Sequence, residues 1–190
     1  MAIFRISLEK TLEHEGGYAN LGADTIDTSD DDTGGETIFG ISRNNHPNSI
    51  LWKEIDNYKE MLKPFNKSKY KQINELAKNN SIIMNEVERI YKESYWNKIK
   101  GNDIKMQENA DVLFDMAVNA GHSRAIKLAQ EVCSIKVDGI CGNITINSIN
   151  TLGKDFCNWY VDKRISWYKT RKNQTYVKAW VNRAERFRIR

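Results

Sequence analysis

Glu15 restricts the fold of this chain more than any other residue. Phe4, Leu8 and Leu12 recur at helical spacing, and Glu15, three residues past Leu12 and seven past Leu8, continues their apolar stripe. A carboxylate in line with a core-facing stripe calls for a physical reason, because burying its charge is costly. In the stretch His14-Glu15-Gly16-Gly17-Tyr18 the two glycines can take the left-handed cap conformation at little cost. A first helix is therefore expected over residues 3–16, with Glu15 in its last turn. Partial burial and the negative end of the helix dipole would both disfavour the ionised carboxylate there, which is the environment a general acid wants.

An acidic, glycine-rich run, Asp30-Asp31-Asp32-Thr33-Gly34-Gly35-Glu36-Thr37, follows closely. Residues 13–36 carry eight acids and no Lys or Arg, whereas residues 154–190 carry eleven Lys or Arg against three acids. The basic end fits a polyanion-facing surface, nucleic acid or cell wall, and equally a solvated helix face that offsets the acidic stretch. The 190 residues, 40% hydrophobic and 28% charged, suit one globular body of one or two lobes. No apolar run approaches the roughly 18 residues that cross a bilayer. Arg5, Glu9 and Lys10 interrupt any secretory apolar core at the N-terminus. Cys133, Cys141 and Cys157 fit no zinc spacing and read as reduced thiols.

The rest of the chain reads as mostly helical. Residues 18–42 suggest an irregular hairpin region, with one short strand where Thr37, Phe39 and Ile41 alternate after the Gly34-Gly35 turn. A short helix before Pro64, stripes at Tyr70–Ala77 and Ile83–Ser94, and a helix from about Glu108 to Ala120 stopped by Gly121 come next. Ser123 is placed to cap a following helix, Asp138-Gly139 to turn, and Asn143 to cap a helix to about Leu152; two final helices carry Trp159 and Trp180. The layout is α+β and predominantly α-helical, with a small β-hairpin region near the N-terminus packed against a helical body. The β region and the helical body are expected to form the two walls of a cleft, with Glu15 where they join.

This arrangement suits glycosidic bond cleavage, which needs a protonated acid for the leaving oxygen and a second group that stabilises the sugar cation, activates water or attacks. Glu15 fits the first role. Asp32 fits the second, since the Gly34-Gly35 turn can fold it back toward the helix end and bring Thr37 beside it to hold a water. Asp30 and Asp31 compete with Asp32, because an acidic loop has no register that sequence sets. The alternating acids and sixth-position glycine of an EF-hand are absent, which argues against calcium.

Glu15-Gly16-Gly17-Tyr18, followed by Asp32-x-Gly34-Gly35-x-Thr37-x-Phe39-Gly40-Ile41-Ser42, resembles the signature of glycoside hydrolase family 108, muramidases of phages and bacteria distantly related to phage-type lysozymes. The chain departs from that pattern in the longer stretch Gly22–Asp31 and in Thr33, where the family usually has proline. Tyr95-Trp96, the run Phe114–Gly121 with Arg124 and Gln130, and Asp138-Gly139-x-x-Gly142-x-x-Thr145 resemble the family's C-terminal part, often described as a peptidoglycan-binding region. Trp180-Val181-Asn182-Arg183-Ala184 is similar to a segment of phage-type lysozymes whose arginine pairs with the catalytic glutamate.

The resemblance implies a lysozyme-like fold, with a catalytic lobe over residues 1–96 and a helical lobe over 97–190 in one compact body. It implies Glu15 as acid, Asp32 and Thr37 as its catalytic partners, and Arg183 as the residue that orients Glu15. Tyr18, Asp115 and Asn119 are candidate substrate-binding residues; Asp115 and Asn119, four apart on one helix, suit either sugar hydrogen bonding or capping and surface roles. The expected protein is a monomeric peptidoglycan hydrolase without metal or organic cofactor. It would cut between N-acetylmuramic acid and N-acetylglucosamine, inserting into no membrane and binding no nucleic acid. Synthesis in the cytoplasm without a signal peptide and release to the wall through a partner such as a holin complete the expectation. The alternatives are a lytic transglycosylase acting on the same bond and a non-catalytic wall-binding or secretion-associated protein.

Overall fold

The structure is a computed structural model of the chain, and it describes residues 1–20, 35–171 and 175–189. Two compact units emerge, Leu12–Ile90 and a second made of Met1–Thr11 with Tyr91–Arg190. Among the described residues no helix is long and apolar enough to cross a membrane.

The larger unit is built around α5 (Gln107–Ala120), in which every residue from Asn109 to Ala117 is buried. A helix covered on all sides must be surrounded by others. Those are α6 (His122–Val132) and α8 (Lys154–Lys169), with α7 (Asn143–Leu152) against both and α9 (Val177–Glu185) against α8. The first helix, α1 (Phe4–Leu12), joins this unit through most of its length. Phe4 packs between the rings of Trp96 and Phe114 at centroid distances of 5.5 and 5.8 Å, and the Ser7 hydroxyl donates to buried Asp111 at 2.6 Å. Lys10 pairs with the other Asp111 oxygen at 2.5 Å.

A second carboxylate of α5 is more deeply committed. Asp115 is fully buried and ion-paired with fully buried Arg164 of α8. Arg183 of α9 donates from Nε and Nη2 to Asp115 Oδ1 at 2.9 and 2.7 Å. Arg164 Nε also donates to the Tyr168 hydroxyl at 2.7 Å, and that hydroxyl donates to Asn119 Oδ1 at 2.6 Å. Burial alone would push the Arg164 guanidinium down, but Asp115 and Tyr168 hold it above its ordinary value.

The smaller unit carries a three-stranded antiparallel sheet in the order β1 (Ala19–Asn20), β2 (Glu36–Ile38), β3 (Ile41–Ser42). The single strand expected around residues 37–41 is instead two strands, because Phe39 (φ 49°) and Gly40 (φ 75°) form the two-residue turn between them. Positive φ at both central residues is what a type I′ hairpin requires. Among the described residues of this unit three helices follow the sheet: α2 (Ile50–Met61), α3 (Tyr70–Lys78) and α4 (Ser81–Tyr91). They bury Leu51, Ile55, Ile73, Ala77, Ile83 and Val87.

Glu36 ties the sheet to α2. Its buried carboxylate accepts from the Tyr18 hydroxyl at 2.6 Å and from Lys59 at 2.7 Å, and pairs with Arg43 at 3.0 Å. Arg43 and Lys59 both bind Asp56 as well.

Three local expectations are corrected. The first helix ends at Leu12, not residue 16, and neither Gly16 nor Gly17 takes a positive φ. Gly121 (φ 84°) serves both as the stop of α5 and as the residue before α6, so Ser123 falls inside α6 and makes no cap. Asn143 is the first residue of α7 and Gly142 precedes it, again without a side-chain cap. The Asp138-Gly139 turn forms as expected, with Gly139 at φ 78° and Asp138 Oδ1 accepting the Ile140 N–H at 2.9 Å.

Asp115→Asn leaves Arg164 buried without its counter-charge and is expected to cost about 3–5 kcal/mol. Asp162→Asn, which loses an exposed pair with Arg188, is expected to cost less than about 1 kcal/mol. Paired thermal or urea unfolding curves check the contrast. The three cysteines are free, and burial pushes the thiols of Cys133 and Cys141 up to about 11 and that of Cys157 up to about 12. Since the thiolate is the reactive form, a thiol-disulfide reagent at pH 8 should react slowly with the native protein and count three thiols only after denaturation.

Candidate active site

Glu15 lies in a turn that extends α1 by a different hydrogen-bond pattern. Its N–H reaches the Leu12 carbonyl at 3.2 Å, three residues back, so the chain tightens as it leaves the helix. Glu15 is thus half-buried but off the α-helical stripe that the spacing suggested.

The residues after it are held by α3. Asn74 Oδ1 accepts the backbone N–H of Tyr18, and its carboxamide occupies the space that a Cβ at residue 17 would need. Gly17 is therefore required for room and not for backbone conformation, while at Gly16 a Cβ would meet nothing. Tyr18 then turns into the core, edge-on to Phe65 and Tyr70 at 5.9 and 4.8 Å, with its hydroxyl on Glu36. Burial and that hydrogen bond push its phenol up. Its ring is spent on packing, which leaves little of it for a sugar.

A pocket of about 350 Å³ opens beside Glu15, within the smaller unit. This is near the lower end of the roughly 300–1,000 Å³ range of ligand sites. Leu12, Phe39 and Met84 give it an apolar side; Glu13, Glu15, Asn74 and Lys78 give it polar groups of both signs. Phe39 lines it from a left-handed conformation that costs a non-glycine residue roughly 1–2 kcal/mol. Backbone strain of that kind gathers at ligand sites, where the surrounding fold over-determines it.

Thr37 is the middle residue of β2, paired with Ala19 on one side and Ser42 on the other. Its neighbours Glu36 and Ile38 point into the core, so by strand alternation Thr37 faces the other, less buried side. Asp32, together with Asp24, Asp27, Asp30 and Asp31, lies outside the described residues, and so does the question of calcium at those acids. Asp115, Asn119 and Arg183 belong to the larger unit, in the buried cluster around Arg164. Full burial and two arginines occupy the Asp115 carboxylate, which gives it a structural task in place of open sugar contact.

Sequence reading missed Asn74, Lys78 and Met84 in the pocket wall. Asn74 and Lys78 sit one turn apart on a helix, a spacing shared by many solvated pairs, so nothing local marked them. Glu36 was seen only as part of an acidic run. Among the described residues no group of three or more His, Cys, Asp or Glu side chains is placed to hold a metal.

No curated protein is similar enough in sequence to count as a relative. Among solved structures, Brucella abortus SagA is similar in fold, with a TM-score of 0.66 at 24% sequence identity over 97% of this chain and 90% of that one. The fold is thus lysozyme-like α+β, as expected. The family described as glycosyl hydrolase 108 matches residues 8–121, more than half of the chain and the part that contains Glu15, Asp32 and Thr37. With that match, the chain belongs to glycosyl hydrolase family 108.

Proposed function

We propose that the protein is a peptidoglycan hydrolase of the N-acetylmuramidase type, cleaving the bond between N-acetylmuramic acid and N-acetylglucosamine. The observation that carries this reading is Glu15, a half-buried carboxylate on the wall of a pocket within the segment that matches the family. Glu15 is the general acid that protonates the leaving oxygen. Asp32 serves as base or electrostatic stabiliser and Thr37 positions the water, on the strength of the family pattern and of Thr37's outward place in β2. Arg183 orients Glu15 in this reading, on the strength of the resemblance to phage-type lysozymes; within its own unit its guanidinium is held by the buried Asp115.

Glycoside cleavage of this kind takes its protons from side chains and its stabilisation from a carboxylate, so the proposed reaction runs without metal or organic cofactor. The basic C-terminal stretch favours association with an anionic wall polymer.

Glu15→Gln should fold as the wild type and lose at least about a hundredfold in the clearing of purified cell walls, the low end of what general acid catalysis supplies. Wild-type rates from that variant would remove Glu15 from the mechanism. Asp32→Asn should lose most activity; full retention would transfer the role to Asp30, Asp31 or Asp24. Mass spectrometry of the released sugars then separates hydrolysis, which adds a water, from transglycosylation, which leaves an anhydro product. Wall binding with no release of soluble sugar would support the non-catalytic alternative instead.

A further inference from the structure

We propose that Asn74 positions substrate as well as chain: its Nδ2 amide donates a hydrogen bond to an acyl or hydroxyl oxygen of the amino sugar seated beside Glu15. The inference rests on the carbohydrate reading above and adds a residue that the signature around Glu15 does not contain.

The orientation of the Asn74 carboxamide follows from its partner. The Tyr18 backbone N–H is a donor, so the atom facing it must be the oxygen. With Oδ1 taken, the group that Asn74 can offer to the pocket is Nδ2. That nitrogen is also the atom nearest to where a Cβ would stand on Gly17, and Gly17, Asn74 and Glu15 line the same pocket. Any side chain at residue 17 would therefore displace the amide from the pocket wall.

The surroundings match an acylated amino sugar. Such a group presents a methyl, a carbonyl acceptor and an amide donor within one short arm. Leu12, Phe39 and Met84 offer apolar contact for the methyl, Asn74 Nδ2 a donor for the carbonyl, and the carboxylate of Glu13 an acceptor at the same wall. Phe39 lines the pocket from its left-handed turn, at a cost in backbone energy that fits a site shaped for a ligand. The double use of Asn74 couples the two halves of the site: the side chain that sets the course of the chain after Glu15 is the one that holds the sugar.

Two substitutions separate the roles. Asn74→Asp keeps an oxygen for the Tyr18 N–H and removes the donor; Asn74→Ala removes both. The measurement is affinity for N-acetylglucosamine oligomers, by calorimetry or NMR titration on the full chain, beside thermal unfolding and wall hydrolysis. These oligomers are uncharged, which removes net charge–charge repulsion between the added carboxylate and the ligand, and agreement with the neutral Asn74→Ala variant assigns the loss of affinity to the missing donor. Asn74→Asp should unfold close to the wild-type temperature, bind about tenfold more weakly, and lose activity on walls mainly through KM. Asn74→Ala should show the same loss of affinity and a lower unfolding temperature. Wild-type affinity in Asn74→Asp would overturn the proposal, as would a wild-type protein that binds no oligomer. A wild type that binds oligomers but releases no sugar from walls would refute the hydrolase reading alone, and the affinity comparison would still decide Asn74.

Discussion

The hydrogen bond from the Tyr18 backbone to the Asn74 side chain sets the course of the smaller unit. No left-handed glycine ends α1, so the direction of the chain after Leu12 is decided by where the next backbone donors find partners. Asn74 supplies one, and Gly17 makes the approach possible by having no side chain. Tyr18 is thereby delivered to Phe65, Tyr70 and Glu36, and β1 begins at once beside β2. Glu15 and Thr37 inherit their positions from this one contact, Glu15 from the turn before it and Thr37 from the register after it.

Two buried carboxylates organise the units in similar ways. Glu36 in the smaller and Asp115 in the larger are each paired with two cations and linked to a tyrosine hydroxyl, Glu36 directly and Asp115 through Arg164. Neither centre need stabilise its unit more than apolar side chains of the same size would, because desolvation offsets much of the Coulomb gain. What such a centre does is penalise every arrangement that leaves a charge unmatched. Glu36 admits the one placement of β2 that meets Arg43 and Lys59; Asp115 admits the one placement of α8 and α9 that meets Arg164 and Arg183. A pocket wall held this firmly suits a site whose chemistry depends on fixed geometry.

The pocket beside Glu15 combines features that oppose one another in energy. A half-buried carboxylate, a strained aromatic turn and a glycine with no spare room are each unfavourable alone. Their convergence on one wall follows if the wall is shaped for a ligand, and membership of a glycosyl hydrolase family supplies the class of that ligand.

Helix content and order were legible because hydrophobic periodicity survives in a single sequence: α2 through α9 fall within a few residues of the apolar stripes that announce them. Glu15 was legible as a candidate from the signature around it, although the helical setting that its spacing suggested ends at Leu12. Helix ends were not, since Ser123 and Asn143 have the right chemistry for caps while glycines take the positions. The structural tasks of Tyr18, Glu36 and Asp115 were equally hidden. An exposed and a buried carboxylate look alike in sequence, and what distinguishes Asp115 is the arrival of arginines from 49 and 68 residues away. The sequence by itself determined the elements, because they depend on local spacing, and it nominated Glu15 as the candidate acid through the signature around it. Tertiary structure alone decided which side chains line the pocket with Glu15, because Asn74 and Phe39 join that lining only when distant segments fold together.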